Sequence, residues 1–317
     1  MNVQVYLRLD PLAFARPDFA MPGLEHLLAK GSVSKNTNVL DAVLCQSFGI
    51  EKQRDWPAAA VSWLGEGNEP QDYFWLYADP VNLQLQRDHF SMNWPAPVPT
   101  SSAEAEALSA SLNQHFSQNG LRFCIAASGR WYMRLDEPMA ITTSALDQAV
   151  GRDIRNFLPT GDGAEKLNSL FNEIQMLLHE HDVNQVREER GQMAINSLWF
   201  SAGGQIPTSE IQPKTVYTHA PLAKGLARLA RTVAMPTSAN LAFSGNEQES
   251  AVLVLNSDEQ DDAQWLEPVL KAMRGREIKQ LSLDIFLHDQ HVHAELKQRD
   301  MWKFWRKPQP LRAYFQW

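Results

Sequence analysis

Three histidines near the C-terminal end of the chain are the first candidates for chemistry. His288, His291 and His293 lie within the segment LHDQHVHAEL. Residues 291 and 293 share one face of a predicted strand, and residue 288 can approach them across a turn, so the three imidazoles could bind one metal ion. No cysteine or well-spaced carboxylate completes a metal shell in this segment. The pattern therefore favours an exposed polar hairpin tip, with no bound metal, over a metal site.

A second group of polar side chains lies where a long helix is expected to end. The apolar residues between Ala164 and His181 recur at helical spacing. The group consists of His179, His181, Asn184 and Arg187. Such residues at a helix terminus could bind an anionic ligand, and they could equally cap helix carbonyl groups and interact with the helix dipole. Both interpretations stay open.

The C-terminal segment, MWKFWRKPQPLRAYFQW, interleaves aromatic and cationic side chains. Its first part, MWKFWRK, predicts a short helix. Trp302, Trp305 and Arg306 are the candidates for partner binding if this segment is free in solution. In the interpretation that we favour, the rings pack on the protein's own surface while the cations extend into solvent.

The composition restricts the class of protein and its partners. The chain has 317 residues, of which 44% are hydrophobic and 21% charged, which is typical of a globular protein. Its net charge of -8 argues against broad nucleic-acid binding, because phosphate recognition needs an excess of Lys and Arg. Cys45 and Cys124 lie in apolar surroundings without a CxxC partner, which indicates reduced thiols. The sequence lacks a signal-peptide pattern and an apolar run of about 18 residues, so we expect a cytoplasmic protein outside the membrane.

The two ends of the chain and its middle differ in their predicted elements. MNVQVYLRLD has strand alternation, and helices follow in LEHLLAKG and DAVLCQSF. Towards the C-terminus, the continuous apolar strand AVLVLN and the helix QWLEPVLKAMR predict an α/β arrangement with a buried parallel sheet, and KQLSLDIFL with HVHAELK predicts a hairpin. The middle of the chain has a strand meander around YFWLYA and a capping box at Ser101 and Glu104. It therefore predicts an α+β module.

Several segments together resemble a known family. They are AEALSASLNQHFSQNGLRF, GRDIRNFLPTGDGAEKL and HEHDVNQVREERGQMAINSLWFSAGGQIP. These segments are similar to the substrate-side module of the archaeal-type cofactor-independent phosphoglycerate mutases, in which a His-Pro-Val-Asn-x-x-Arg element precedes an Asn-x-x-Trp-x-x-Gly-x-Gly element. The motifs NEIQMLLHEHDVN, ADPVNL, QRDWP and MWKFWRK resemble, more closely still, a bacterial branch known as the regulatory protein RpfE family.

The resemblance implies a fold of alkaline-phosphatase type. This is an α/β fold with a mixed or parallel sheet flanked by helices and with an inserted α+β module. We accordingly predict a discontinuous α/β domain of residues 1–70 and 208–317, and an inserted substrate-side module of residues 71–207.

The resemblance also implies a chemistry that this chain has lost. The mutases use a nucleophilic serine and two divalent metals, Mn²⁺ or Mg²⁺, held by Asp and His. Counting back from SFGIE places Leu40 at the position of the serine, and Asp10 is followed by proline where the family has glycine. After AVLVLN the chain offers Asp258, Asp261 and Asp262 without a histidine. We therefore predict no catalytic residue and no cofactor.

The function that these observations favour is a non-catalytic, phosphoglycerate-mutase-like protein with a regulatory role. Its expected partner is a small anionic metabolite or another protein, and neither nucleic acid nor a membrane is expected. One alternative is a metal-dependent mutase or phosphate-ester enzyme that uses Mn²⁺ or Mg²⁺ in a rearranged site. Another is a purely structural interaction protein. The sequence does not predict an oligomeric state.

Overall fold

The chain forms two compact units. A computed structural model of the protein describes residues 1–207, 214–237, 241, 243, 250–255 and 262–315, with the side chains of 262–264 excepted. The terminal unit consists of Met1–Gly49 and Glu210–Trp317, and the inserted unit consists of Ile50–Ser209.

The elements follow one another in a mixed order of helices and strands. The strands are β1 (Asn2–Arg8), β2 (Ser32–Asn36), β3 (Phe74–Val81), β4 (Leu83–Leu85), β5 (Phe90–Met92), β6 (Leu121–Ile125), β7 (Trp131–Leu135), β8 (Ser197–Gly204), β9 (Thr215–Thr218), β10 (Ala234–Met235), β11 (Ser250–Leu255), β12 (Gln280–Leu287) and β13 (Gln290–Lys297). The helices are α1 (Pro11–Ala15), α2 (Pro22–Lys30), α3 (Leu40–Ser47), α4 (Ala58–Gly65), α5 (Ser102–His115), α6 (Leu146–Ala149), α7 (Ala164–His179), α8 (Asp182–Glu189), α9 (Pro221–Leu229) and α10 (Asp262–Arg274). Short 3₁₀ helices cover Ile154–Phe157, Gln298–Trp302 and Leu311–Tyr314.

The terminal unit is built on a seven-stranded mixed sheet. Its strand order is β10-β9-β11-β1-β12-β13-β2, with the first five strands parallel and the last two antiparallel to their neighbours. One face is apolar, because Val3, Val5 and Leu7 of β1 share a core with residues of α2 and α10. Burial of these side chains supplies the main driving force for folding of this unit. The predicted α/β class, with a largely parallel sheet flanked by helices, is confirmed.

The inserted unit is an antiparallel sheet covered by helices. Its strand order is β6-β7-β3-β8, and β4 and β5 form a separate two-stranded ribbon. Leu108 and Leu112 of α5 and Ile174 of α7 pack in one core with β3 and β7. The predicted capping box is present in α5, where Ser101 accepts from the Glu104 amide and Glu104 accepts from the Ser101 amide.

Two local features differ from the sequence prediction. The first boundary between the units lies at residue 49 rather than 70, because α4 contacts β3 and β8 of the inserted unit. The segment MWKFWRK is not a helix after Trp302, where the 3₁₀ helix ends.

No helix in the described part of the chain is long and apolar enough to span a bilayer. Both cysteines are free thiols, with Cys45 buried and Cys124 half-buried.

Candidate functional site

The second face of the terminal unit's sheet is polar and forms the floor of a pocket of about 630 Å³. Because side chains alternate across a strand, residues 2, 4 and 6 of β1 point away from the apolar core. Gln4 lies level with Ser282 of β12, and Tyr6 lies level with Asp284. Asp284 in turn lies directly opposite His293 of β13. The register therefore brings hydrogen-bonding side chains of three adjacent strands into one pocket.

A cluster of one carboxylate and two imidazoles lies on this floor. The Asp284 carboxylate oxygen Oδ1 accepts hydrogen bonds from Nε2 of His291 at 2.8 Å and from Nδ1 of His293 at 2.7 Å. The side chains of Asp284 and His291 are almost fully buried, whereas that of His293 is 29% exposed. We call these three residues the His-Asp-His cluster. His293 is the member that a molecule in the pocket can reach.

The hydrogen bonds decide the charges of the cluster. Burial raises the pKa of Asp284, but the bonds from His291 and His293 outweigh burial, and the pKa lies below its usual value. The bond to Asp284 raises the pKa of His293 despite its partial burial, and Glu295 acts in the same direction. The carboxylate is therefore ionised at neutral pH, and His293 holds its proton more tightly than a free histidine.

His291 is held rigidly. Its ring stacks on Phe286, with centroids 4.4 Å apart and an interplanar angle of 6°. Its second ring nitrogen, Nδ1, is buried and has no hydrogen-bond partner among the residues that the structure describes. Such a buried polar atom is uncommon in native proteins.

Lys214 supplies a cation to the same pocket. Its ammonium group donates to the side chain of Gln4 at 3.3 Å and to the main-chain oxygen of Ser47, and it lies 4.8 Å from the ring centroid of Phe48. Burial lowers the pKa of Lys214. Within the described ranges, no carboxylate forms an ion pair with it.

Tyr6 lies on the floor next to Asp284 in the adjacent strand. Burial raises the pKa of Tyr6 to about 12, a hydrogen bond with Ser47 opposes this, and the charge of Asp284 adds to the rise. Its hydroxyl is therefore protonated at neutral pH and acts as a neutral hydrogen-bonding group in the pocket.

The positions at which the resemblance implies a mutase site belong to the terminal unit. Leu40 is the first residue of α3, whose N-cap, Val39, provides no side-chain hydrogen bond. Asp10 is the N-cap of α1, where its carboxylate accepts from the amide of Leu12 at 2.9 Å. Asp258 and Asp261 lie outside the described residues, as does the side chain of Asp262.

The candidate ligand group of the inserted unit is largely hydrogen-bonded within that unit. His179 is exposed at the end of α7, and His181 is the N-cap of α8. Asn184 is buried and joins the main chain of Leu178 to that of Ile195. These bonds favour a structural role, and ligand binding by this group stays a prediction.

Comparison with known proteins identifies a similar segment within the inserted unit. The family model of 2,3-bisphosphoglycerate-independent phosphoglycerate mutase matches residues 96–184. This segment is phosphoglycerate-mutase-like. A probable 2,3-bisphosphoglycerate-independent phosphoglycerate mutase of Geobacter sulfurreducens is 39% identical over 57 residues, which are 18% of this chain and 14% of that protein.

Two solved structures align with most of the chain at low similarity. The cofactor-independent phosphoglycerate mutase of Thermoplasma acidophilum has 16% identity and a TM-score of 0.40, with 94% of this chain and 90% of that chain covered. The PH0037 protein of Pyrococcus horikoshii has 12% identity and a TM-score of 0.45, with 93% and 87% covered. The α/β class of this chain follows from its own strand order.

Arg187 and Glu104 connect α8 to the start of α5 beside the mutase-like segment. Arg187 is 5% exposed. Its guanidinium donates to Glu104 at 2.9 Å and to the main-chain oxygens of Met193 and Pro99 at 2.7 and 3.3 Å. Burial raises the pKa of Glu104, but the hydrogen bonds from Ser101 and Arg187 outweigh burial and lower it overall.

We expect Glu104→Gln to lower the free energy of unfolding by about 2 kcal/mol at pH 7, because Arg187 keeps its buried charge without a counter-ion. A carboxylate with a lowered folded-state pKa stabilises the protein above its unfolded-state pKa. The difference in unfolding free energy between wild type and Glu104→Gln should therefore decrease as the pH falls below 4.5 through the folded-state pKa of Glu104. Urea denaturation at several pH values measures the loss of stability at pH 7 and its pH dependence. Glu106→Gln, on the same helix, is the exposed control. Equal stabilities at pH 7 would contradict the expected role of this pair.

The C-terminal segment is divided between docked and exposed residues. Leu311 and Phe315 are buried in the core of the terminal unit. Trp302 and Trp305 are 77% and 66% exposed. Arg306 donates to the main-chain oxygen of Gly31 at 2.9 Å. The favoured docked arrangement thus holds for the last part of the segment, whereas the two tryptophans lie on the surface.

Because of this exposure, we expect the double variant Trp302→Ser, Trp305→Ser to unfold within about 0.5 kcal/mol of wild type. Leu311→Ala, in the buried part of the same segment, is the matched control and should be measurably less stable. Chemical denaturation followed by far-UV circular dichroism gives both values. If the tryptophan variant were clearly destabilised, these rings would belong to the fold rather than to a free surface.

Sequence analysis missed two members of the pocket. Asp284 supplies the carboxylate that the histidine segment lacks, and it lies opposite His293 because of the hairpin register. His288, which was expected to approach the other two histidines, lies in the hairpin turn with φ of 51° and is outside the cluster. Lys214 has no motif around it in the sequence, and only the folded sheet brings it to Gln4.

Proposed function

We propose that this protein is a non-catalytic, phosphoglycerate-mutase-like protein that binds a small anionic ligand in the polar pocket of its terminal unit. The observation that supports it is the half-buried ammonium group of Lys214, which lines the pocket. Partial removal of a charge from water costs free energy unless another charge compensates it. An anionic ligand would supply that charge.

Further hydrogen-bonding groups extend the ligand site across the floor. Gln4, which accepts from Lys214, lies on β1. β12 and β13 are the next two strands of the sheet, so that the His-Asp-His cluster lies roughly 10 Å from Gln4. A ligand of that length, with an anionic end at Lys214 and hydroxyl groups towards His293 and Tyr6, matches the polarity of the pocket.

The non-catalytic character rests on the replacement of the nucleophile. Phosphoryl transfer by a mutase of this kind needs a hydroxyl oxygen that accepts the phosphoryl group. The resemblance places Leu40 at this position, and a hydrocarbon side chain cannot form the phosphoenzyme. Asp10, the remnant of a metal ligand, already caps α1. The mutase-like segment of the inserted unit, together with the altered nucleophile position in the sequence, is the reason for proposing a regulatory, RpfE-like role in the cytoplasm.

Calorimetric titration with inorganic phosphate, 3-phosphoglycerate and neutral glycerol tests the proposal. We expect at least one of the two anions to bind, and glycerol not to bind. Lys166, which is exposed on α7 of the inserted unit, provides the matched control. Binding that survives Lys214→Met and is weakened by Lys166→Met would place the anion site elsewhere and contradict the proposal.

A second candidate function is the binding of a protein partner through the C-terminal segment. The exposed rings of Trp302, Phe304 and Trp305 favour it, because contiguous exposed aromatic groups are enriched in protein interfaces. The double tryptophan variant described above, which is expected to fold like wild type, separates this function from folding. A partner that binds wild type and this variant with equal affinity would exclude these rings from the interface.

A further inference from the structure

We propose that Asp284, His291 and His293 form a binding site for one divalent transition-metal ion. Each residue offers one ligand atom, and the three atoms lie within 4.8 Å of one another. Two imidazole nitrogens and one carboxylate oxygen suit zinc, cobalt(II) or iron(II) better than magnesium or calcium, which prefer oxygen ligands. The metal site uses other side chains than Lys214, and it goes beyond the proposed binding of an anion.

Two paired strands hold the ligand atoms in place. Asp284 on β12 pairs directly with His293 on β13, and His291 lies on the same face of β13 two residues earlier. The ring of His291 is further fixed by its stacking on Phe286. A site built on strands keeps its ligand directions better than a site built on loops.

The spacing of the ligand atoms is close to that around a bound ion. Ligand atoms of a tetrahedral zinc lie roughly 2.0 Å from the metal and therefore about 3.3 Å from one another. In the His-Asp-His cluster, Oδ1 of Asp284 lies 2.8 Å from Nε2 of His291 and 2.7 Å from Nδ1 of His293. Separating these atoms by about half an ångström would make room for the ion in place of the two hydrogen-bonding protons.

The surroundings of the cluster leave coordination positions open to the pocket. His293, at 29% exposure, borders the pocket and gives an ion a route of entry. Oε1 of Glu295 lies 3.7 Å from Nε2 of His293, outside hydrogen-bond distance. A buried hydrogen-bonded cluster is the alternative role for these side chains.

The cluster lies apart from the places where the mutase resemblance implies metals. That resemblance points to Asp10 and to the segment after β11. The cluster lies within β12 and β13, and Asp284 is level with Tyr6, in the middle of β1. The site is therefore a property of this chain's own hairpin.

Titration of the purified full-length protein with Co²⁺ tests the site, because the visible absorption of cobalt reports its coordination geometry. We expect one Co²⁺ per chain, with an absorption spectrum of a four- or five-coordinate nitrogen and oxygen site, and displacement by an equimolar amount of Zn²⁺. Asp284→Asn and His293→Gln are each expected to lower the affinity for Co²⁺ at least tenfold. His115→Gln, which changes an exposed histidine of the inserted unit, should leave it unchanged.

His293→Gln serves as the variant that should remain folded, because the His293 side chain is partly exposed. Its circular dichroism should match that of wild type even if Asp284→Asn misfolds. A wild-type protein without a stoichiometric cobalt spectrum, or a folded His293→Gln variant that loses less than tenfold in affinity, overturns the metal site. Lys214→Met should bind Co²⁺ like wild type, so failure of the metal site and failure of the anion site give different results.

Discussion

Replacing Lys214 with methionine is expected to weaken the binding of an anionic ligand about 100-fold, or about 2.7 kcal/mol. A hydrogen bond to a charged group contributes roughly 1.5–3 kcal/mol, and this ammonium is partly withdrawn from water. Methionine keeps an apolar stem of similar length, and water in the pocket can replace the bonds to Gln4 and Ser47. The free energy of unfolding should therefore change by no more than about 1 kcal/mol.

The pH dependence of binding provides a second readout for Lys214. Because burial lowers the pKa of its ammonium below the usual 10.5, the group loses its charge at a lower pH than an exposed lysine. Affinity for an anion of constant charge should accordingly decrease as the pH rises through the folded-state pKa of Lys214. Calorimetric titration of wild type, Lys214→Met and Lys166→Met over this range measures the effect. A pH profile shared by wild type and Lys214→Met would assign the titration to another group.

Replacing Asn184 with alanine is expected to lower the free energy of unfolding by about 3 kcal/mol, because the buried amide and carbonyl groups of Ile195 lose this partner and the Leu178 carbonyl loses one of its hydrogen bonds. The side-chain amide donates to the carbonyl oxygens of Leu178 and Ile195, and its oxygen accepts from the Ile195 amide, all at 2.7 Å. These bonds connect the end of α7 to the segment that leads into β8. Guanidinium denaturation measures the loss.

The control for Asn184 is its exposed neighbour in the same predicted ligand group. His179→Ala should leave the stability within about 0.5 kcal/mol of wild type. If Asn184 instead served mainly to bind a ligand, Asn184→Ala would cost less than 1 kcal/mol without ligand and would abolish a ligand-induced increase in stability. That pair of results would reverse the structural interpretation of this group.

Most of the fold could be predicted because its elements have strong local patterns. The alternation of β1 and the continuous apolar run of β11 indicate strands whose faces are fixed by burial. Two elements were missed for identifiable reasons. β2 is exposed along its whole length and has no apolar period, because it lies at the end of the sheet order and, among the described strands, pairs with β13 alone. α4 is flanked by Pro57 and Gly67, and these breakers obscured the apolar helix between them.

The candidate site could be predicted less well, because it depends on register rather than on sequence spacing. The hairpin of β12 and β13 was predicted, and centring its turn on residues 288 and 289 would have placed Asp284 opposite His293. Asp284 escaped notice because it lies between apolar residues of the strand, Leu283 and Ile285. Lys214 and Gln4 are 210 positions apart, and no local pattern links them.

The phosphorus NMR spectrum of 3-phosphoglycerate in the presence of the protein and Mg²⁺ tests the central claim most directly, because it reports binding and turnover together. A non-catalytic anion-binding protein should broaden or shift the 3-phosphoglycerate resonance, and this effect should be lost with Lys214→Met. No resonance of 2-phosphoglycerate should appear during prolonged incubation. Formation of 2-phosphoglycerate that stops on addition of a chelator would contradict the account.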